Sequence, residues 1–309
     1  MIVNQKKMED LADNLSGAGE IEGRSLWADA AKRFAHNKAA VGGVITLVLV
    51  VLFTLIGPSF AQWSNEEIDW GVIGQAKVMG KPSIESGHYF GTDDLGRDLY
   101  SRVIQGTSIS LMVGFIGSLV AVVVGTLYGA VAGYVGGRVD NFMMRLVDIL
   151  MSIPYMFVLI LLLVIFGRSL SMLFIGIGLI SWFDMSRIVR GQTLSIKNKE
   201  YIEAAVAAGV SNFTIIIRHV VPNLMGIVIV YASLLVPGFI MAESFISFLG
   251  LGVQEPNTSW GALINEGAKT MQYGTLWQLG FPLFFFTITL FSMFFIGDGL
   301  RDALDPKDR

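Results

Sequence analysis

Glu203-Ala204-Ala205-Val206-Ala207-Ala208-Gly209, followed by Ser211 and by Arg218-His219-Val220-Val221-Pro222-Asn223, is the stretch around which the rest of the chain falls into place. Residues 200–208 are strong helix formers. Gly209 permits the backbone to leave the helix, Ser211 can cap a second helix, and Pro222 is expected to end it. The sequence therefore predicts a helix-turn-helix. Its small Ala side chains let another surface approach closely, and Glu203 offers a fixed anion. A rigid lug of this kind can transmit force between subunits.

On both sides of the lug the chain is too apolar for water. Of its 309 residues 53% are hydrophobic and only 15% charged, against about 25% in a typical soluble domain. Mean hydropathy is +0.61. An ordinary soluble enzyme is excluded, and an all-α membrane protein is expected. The net charge of −3 leaves no polybasic surface for nucleic acid. With no Cys there is no disulfide, thiolate metal site or Cys nucleophile.

Six membrane segments are expected: 39–61, about 108–134, 149–166, 169–183 with a helical pattern that can continue through Asp184, Ser186 and Arg187, 223–250 and 277–297. About 20 residues cross a bilayer core. The fourth is short, and a re-entrant segment is its alternative. Charge decides. If all six cross, sixteen of the 22 Lys and Arg fall on the side holding 1–38, 136–147, 184–222 and 298–309. By the positive-inside rule that side is cytoplasmic, with both termini and the lug. The chain then divides into a cytoplasmic tail 1–38, a first span 39–61, a periplasmic loop 62–106, a five-helix core 107–297 carrying the lug at 200–222, and a cytoplasmic tail 298–309. Residues 1–22 read as disordered. Ser59-Phe60-Ala61 resembles a cleavage site, but the apolar run before it is too long for a signal core, so an uncleaved anchor is expected. Residues 25–38, capped by Ser25, suit an interfacial helix with Leu26, Ala30 and Phe34 on one face.

The chemistry of an enzyme is missing. No G-x-x-x-x-G-K-[ST], H-E-x-x-H or G-x-S-x-G occurs. His36, His88 and His219 lie in separate segments, and Asp93, Asp94 and Asp98 fail the EF-hand spacing, so no metal is expected. No cofactor is implied. Gly91 to Asp98 reads as a turn capping the helix that leads into the second span.

Three intramembrane features remain. Gly117, Ala121, Gly125, Gly129, Gly133 and Gly137 form a stripe four residues apart, over which another helix can pack backbone to backbone; internal packing is favoured over a partner's helix. Pro154, Pro237 and Pro282 interrupt hydrogen bonding in the third, fifth and sixth spans. Glu243 stands in a hydrophobic segment, where it either lines the outer part of a passage, pairs with a partner, or makes a structural hydrogen bond. Asp184, with Arg187 and Arg190, marks the inner end of the fourth span, either as a solvated helix end or as part of a substrate pathway.

The lug resembles the EAA loop of bacterial ABC importer permeases, which docks a helical knob into a cleft of an ATPase. That family has Ile where this chain has His219 and Leu at Val221, so the Arg218-His219-x-x-Pro222-Asn223 variant is similar to the peptide-permease branch. Gly91-Thr92-Asp93…Gly96-Arg97-Asp98, Ser247-Phe248-Leu249-Gly250-Leu251-Gly252 and Gly297-Asp298-Gly299-Leu300-Arg301-Asp302-Ala303-Leu304-Asp305-Pro306 resemble C-type permeases of the OppBC/DppBC family of peptide and nickel importers. Glu22-Gly23-Arg24-Ser25-Leu26-Trp27 and Glu85-Ser86-Gly87-His88-Tyr89-Phe90 resemble its oligopeptide branch. The resemblance implies a type I ABC importer permease fold of six transmembrane helices in the bacterial inner membrane. It also implies an OppB-like second permease, two OppD/OppF-like ATP-binding subunits, a periplasmic peptide-binding protein and a peptide substrate. Glu203, Ala204, Ala205, Gly209 and Pro222 would form the ATPase contact, and ATP hydrolysis would belong to the partners. Dipeptide or nickel import is the alternative within the family; outside it stands an ion-coupled secondary transporter.

Overall fold

Apolar segments of this length satisfy their backbone polar groups by coiling, and the apolar segments of this chain do so. A computed structural model describes residues 26–304. The expected disordered tail, the Ser25 cap and the last five residues lie outside them. The helices are α1 (Leu26–His36), α2 (Lys38–Ile56), α3 (Leu99–Val135), α4 (Gly137–Met151), α5 (Tyr155–Phe166), α6 (Leu170–Ile196), α7 (Glu200–Ala207), α8 (Asn212–Phe248), α9 (Trp260–Thr270) and α10 (Leu276–Leu304). Among the described residues five helical runs are long and apolar enough to span a membrane: α2 with the turn to Phe60, α3, α6, α8 and α10. The pair α4–α5, bent by 71°, makes a sixth if taken as one broken span.

The helices alternate in direction, so one face of the bundle carries α1, the lug and the end of α10. We call it the tail face. The opposite, loop face carries residues 57–98 and 249–275. The widest helix pairing is α3 against α6, where the glycine stripe meets its partner. A methyl group on Gly125 would stand 2.6 Å from Met185 Cβ, and one on Gly133 2.7 Å from Thr193 Cβ; on Gly129 it would strike the Ser186 carbonyl. The stripe therefore packs within the chain along 125–133. Gly137, at its end, meets nothing and starts α4.

Three element boundaries become definite. The interruption expected at Pro154 is a break: α5 has twelve residues, about 18 Å, too short for a 30 Å core, and Pro154 sits at its N-cap because it cannot continue α4. The helix of the fourth segment continues past Asp184 and Arg187 to Ile196, and its arginines are held by α4. Arg190 donates to both Asp140 oxygens at 2.7 and 2.6 Å, and Arg187 pairs with Asp148. Pro222 does not end the second lug helix. A π turn over Ile216–Val220 re-registers the hydrogen bonding, with Val221 N–H reaching Ile216 O, so that Pro222 falls in the first turn of the following segment and needs no donor.

Candidate functional site: a knob, a groove and a polar knot

The knob is held from below and bare on top. Ile202 and Ile215 are buried with Met185, Val189, Ile216, Val220 and Leu224 in one apolar cluster that joins α7 and the start of α8 to α3 and α6. Each buried Ile contributes about 1.5–3 kcal/mol, enough to fasten an eight-residue helix too short to be stable alone. Gly209 turns the chain at φ +76°, a conformation costly for any residue with a Cβ. Val210 N–H bonds Ala205 O at 3.1 Å, and Ser211 Oγ accepts from Thr214 N–H at 3.3 Å. These contacts leave Tyr201, Glu203, Ala204, Val206, Ala207, Ala208 and Phe213 exposed, Phe213 at 74%. Ala205 is half-buried beneath them. The result is an apolar cap carrying the Glu203 carboxylate, with Glu200 exposed in the same first turn.

A groove of 420 Å³ opens between the α4–α5 break, α6 and α8. Its walls are mostly apolar, and among the described residues Asp184 is the one charged residue lining it. Asp184 is exposed and lies about 21 Å along α6 from Leu170, past the middle of a 30 Å core. The cost of an acidic group against lipid, about 2.5–3.5 kcal/mol at a helix centre, is smaller this far from the centre but still favours water or protein beside the groove. A second groove of 790 Å³ at the tail face lies between α1, α8 and the end of α10, and Leu234 lines both.

Glu243 lies in neither groove. It is fully buried, and the hydroxyls of Ser247, Ser110 and Ser244 donate to it at 2.6, 2.9 and 3.3 Å. Trp260 N–H in turn donates to Ser110 Oγ at 3.2 Å, and its indole N–H to Thr107 at 3.0 Å. Ser247 Oγ accepts from Val253 N–H at 3.1 Å, and Gly252 is a glycine because a Cβ would strike that serine. The knot ties α3, α8 and α9 together, which is the structural alternative among the roles open to Glu243 in the sequence.

The loop face holds a network that the sequence alone did not reveal. Asp93 accepts from Leu95 N–H and Arg97 N–H, and Arg97 bridges Asp93 at 2.7 Å and Glu255 at 2.6 Å. Arg102 spans Asp93 at 3.2 Å and Glu266 at 2.9 Å. Asp98 caps α3 through Ser101 N–H at 2.8 Å and faces His88 Nδ1 at 2.9 Å. The charges at 93–102 were visible in sequence; their partners more than 150 residues away were not. The Glu255 carboxyl is held below its ordinary value, first by the hydrogen bond from Arg97. Burial pushes Glu266 up.

Residues 125–309 match the family model described as binding-protein-dependent transport system inner membrane component, and residues 25–76 match the N-terminal TM domain of oligopeptide transport permease C. The chain belongs to the binding-protein-dependent transport permeases. Its fold is accordingly that of a type I ABC importer permease, and it is a multi-pass inner-membrane protein. This permease is 57% identical to the oligopeptide transport system permease protein OppC of Escherichia coli K12, with all of both chains covered. It is 51% identical to that of Haemophilus influenzae, over 99% of this chain and 97% of the relative. Against the dipeptide transport system permease protein DppC of Bacillus subtilis it is 41% identical, over 100% and 92%. Such permeases are the membrane-spanning subunits of larger importers.

Proposed function

We propose that this chain is one membrane-spanning half of an ATP-driven importer of short peptides. It would pair with a second, OppB-like permease, two OppD/OppF-like ATPases and a periplasmic peptide-binding protein. The tail face lies in the cytoplasm, as the surplus of Lys and Arg on that side supports. The observation that carries the reading is the knob: anchored by Ile202 and Ile215, bare at Glu203, Ala204, Ala207 and Phe213, and placed on that face.

ATP binding closes the ATPase dimer and drags the knob. Because Ile202 and Ile215 are locked into the cluster with Met185 and Val189 on α6, the pull passes into α6, α3 and α8 rather than bending a loop. The two permeases then open outward and accept peptide from the binding protein; hydrolysis resets them inward. Peptide side chains vary, so the passage needs only general shape and charge, and selection sits mainly in the binding protein. This chain breaks no covalent bond. Names of relatives at 51–57% identity favour oligopeptides over the dipeptides named at 41%.

The test is uptake by vesicles holding all five subunits. Peptide accumulation should require ATP and stop with vanadate. Uptake that persists without the ATPases and follows an imposed ion gradient would assign the chain to secondary transport instead.

A further inference from the structure

We propose that Asp184 forms a subsite for an ammonium group of the passing peptide, an inference that rests on the peptide-permease reading. Among the described residues Asp184 is the single charge in a groove otherwise walled by side chains such as Ile153, Tyr155, Phe183 and Phe239. Its helical neighbours Arg187 and Arg190, three and six residues on, could have neutralised it. Both are turned to α4 instead, held by Asp148 and Asp140. Asp184 has no ion-pair or hydrogen-bond partner among the described residues, yet it is exposed along an apolar segment. Glu243 shows the opposite arrangement, three hydroxyls around one buried carboxylate. One carboxylate is sealed for structure, and the other is left bare at an opening.

A bare carboxylate in apolar surroundings favours a cation, and few cations in its path are as constant as a peptide's. Every unmodified peptide carries an N-terminal ammonium, and Lys side chains add the same group. The groove volume of 420 Å³ lies within the range that encloses small ligands, so it accommodates a residue or two of a moving chain. The apolar walls take side chains of any shape, while the carboxylate holds the ammonium of a peptide that has already entered the passage.

The experiment uses the complete importer in lipid vesicles, with binding protein presaturated by Ala-Lys-Ala, Ala-Gln-Ala or Ala-Glu-Ala, so that differences in initial capture drop out. Asp184→Asn is expected to lower the maximal uptake rate about tenfold, the scale of one charge-assisted hydrogen bond, while ATPase stimulation by loaded binding protein persists and Asp184→Glu restores transport. Equal slowing of all three peptides identifies the N-terminal ammonium; slowing of Ala-Lys-Ala alone identifies the side chain. Wild-type rates for all three peptides in Asp184→Asn overturn the proposal. So does loss of ATPase stimulation in step with uptake, or loss of the second permease on purification, which would make Asp184 a subunit contact. If the wild-type vesicles take up none of the peptides, the permease reading itself has failed before any variant is compared.

Discussion

Glu243 and Asp184 are both acids within apolar helices, and their surroundings separate them. Glu243 accepts from three serines on α3 and α8, so its cost is met inside the chain. Glu243→Ala should leave those hydroxyls without an acceptor and destabilise the subunit by about 3 kcal/mol, whereas Glu243→Gln, which can both accept and donate, should cost less than about 1 kcal/mol. Thermal unfolding of the purified complex reads the difference; equal losses would mean that the knot is not held by hydrogen bonding. That an acid stands at 243 is plain in the sequence. That Ser110, 133 residues earlier, lies against it is not, because period and hydropathy mark a helix but not its neighbour. Asp98 was legible for the contrary reason: a capping residue serves the helix that begins next to it.

Among the elements, the α3–α6 pair is governed by size. Gly129→Ala puts a methyl group against the Ser186 carbonyl and should cost about 1–3 kcal/mol, while the same change at Gly137, where φ is +59° but nothing lies near, should show backbone strain without helix separation. Crosslinking between α3 and α6 distinguishes the two. The four-residue stripe was readable because i, i+4 glycines share a helix face whatever packs there. The broken third span was only half readable: Pro154 announces an interruption, but the 71° bend follows from the packing of α4 and α5. Pro222 misled in the other direction, since the π turn ahead of it absorbs the missing donor.

The loop-face connection between residues 93–102 and 255–266 should respond to acid. Arg97 holds Glu255 below its ordinary 4.5, so this pair's stabilisation is complete above that value and is lost as pH falls through the depressed one. Glu266, raised by burial, works the opposite way: protonation favours its folded environment, and it takes its proton first on acidification. Hydrogen-exchange protection of residues 249–259, corrected for intrinsic rates, should therefore hold down to about pH 4.5 and fall only below it. Glu255→Gln should abolish that acid limb, and an early loss between pH 7 and 5 would contradict the assignment.

At the scale of the whole molecule, the number of apolar segments and the side favoured by positive charge were both open to reading, because a bilayer imposes length and the charge bias is cumulative. The knob was open to reading as local helix chemistry, but its anchorage through Ile202 into α6 was not. In the proposed mechanism that anchorage is what would make a surface bump a lever. The chain has no cysteine, so Ala207→Cys introduces a single thiol at the bare top of α7. In inner-membrane vesicles active in peptide uptake, a short bifunctional reagent at that thiol should join the chain to an ATP-hydrolysing subunit, with a yield that changes when ATP is added. Product that never contains a nucleotide-hydrolysing subunit, or labelling of the thiol by an impermeant maleimide from outside intact spheroplasts, would contradict the account.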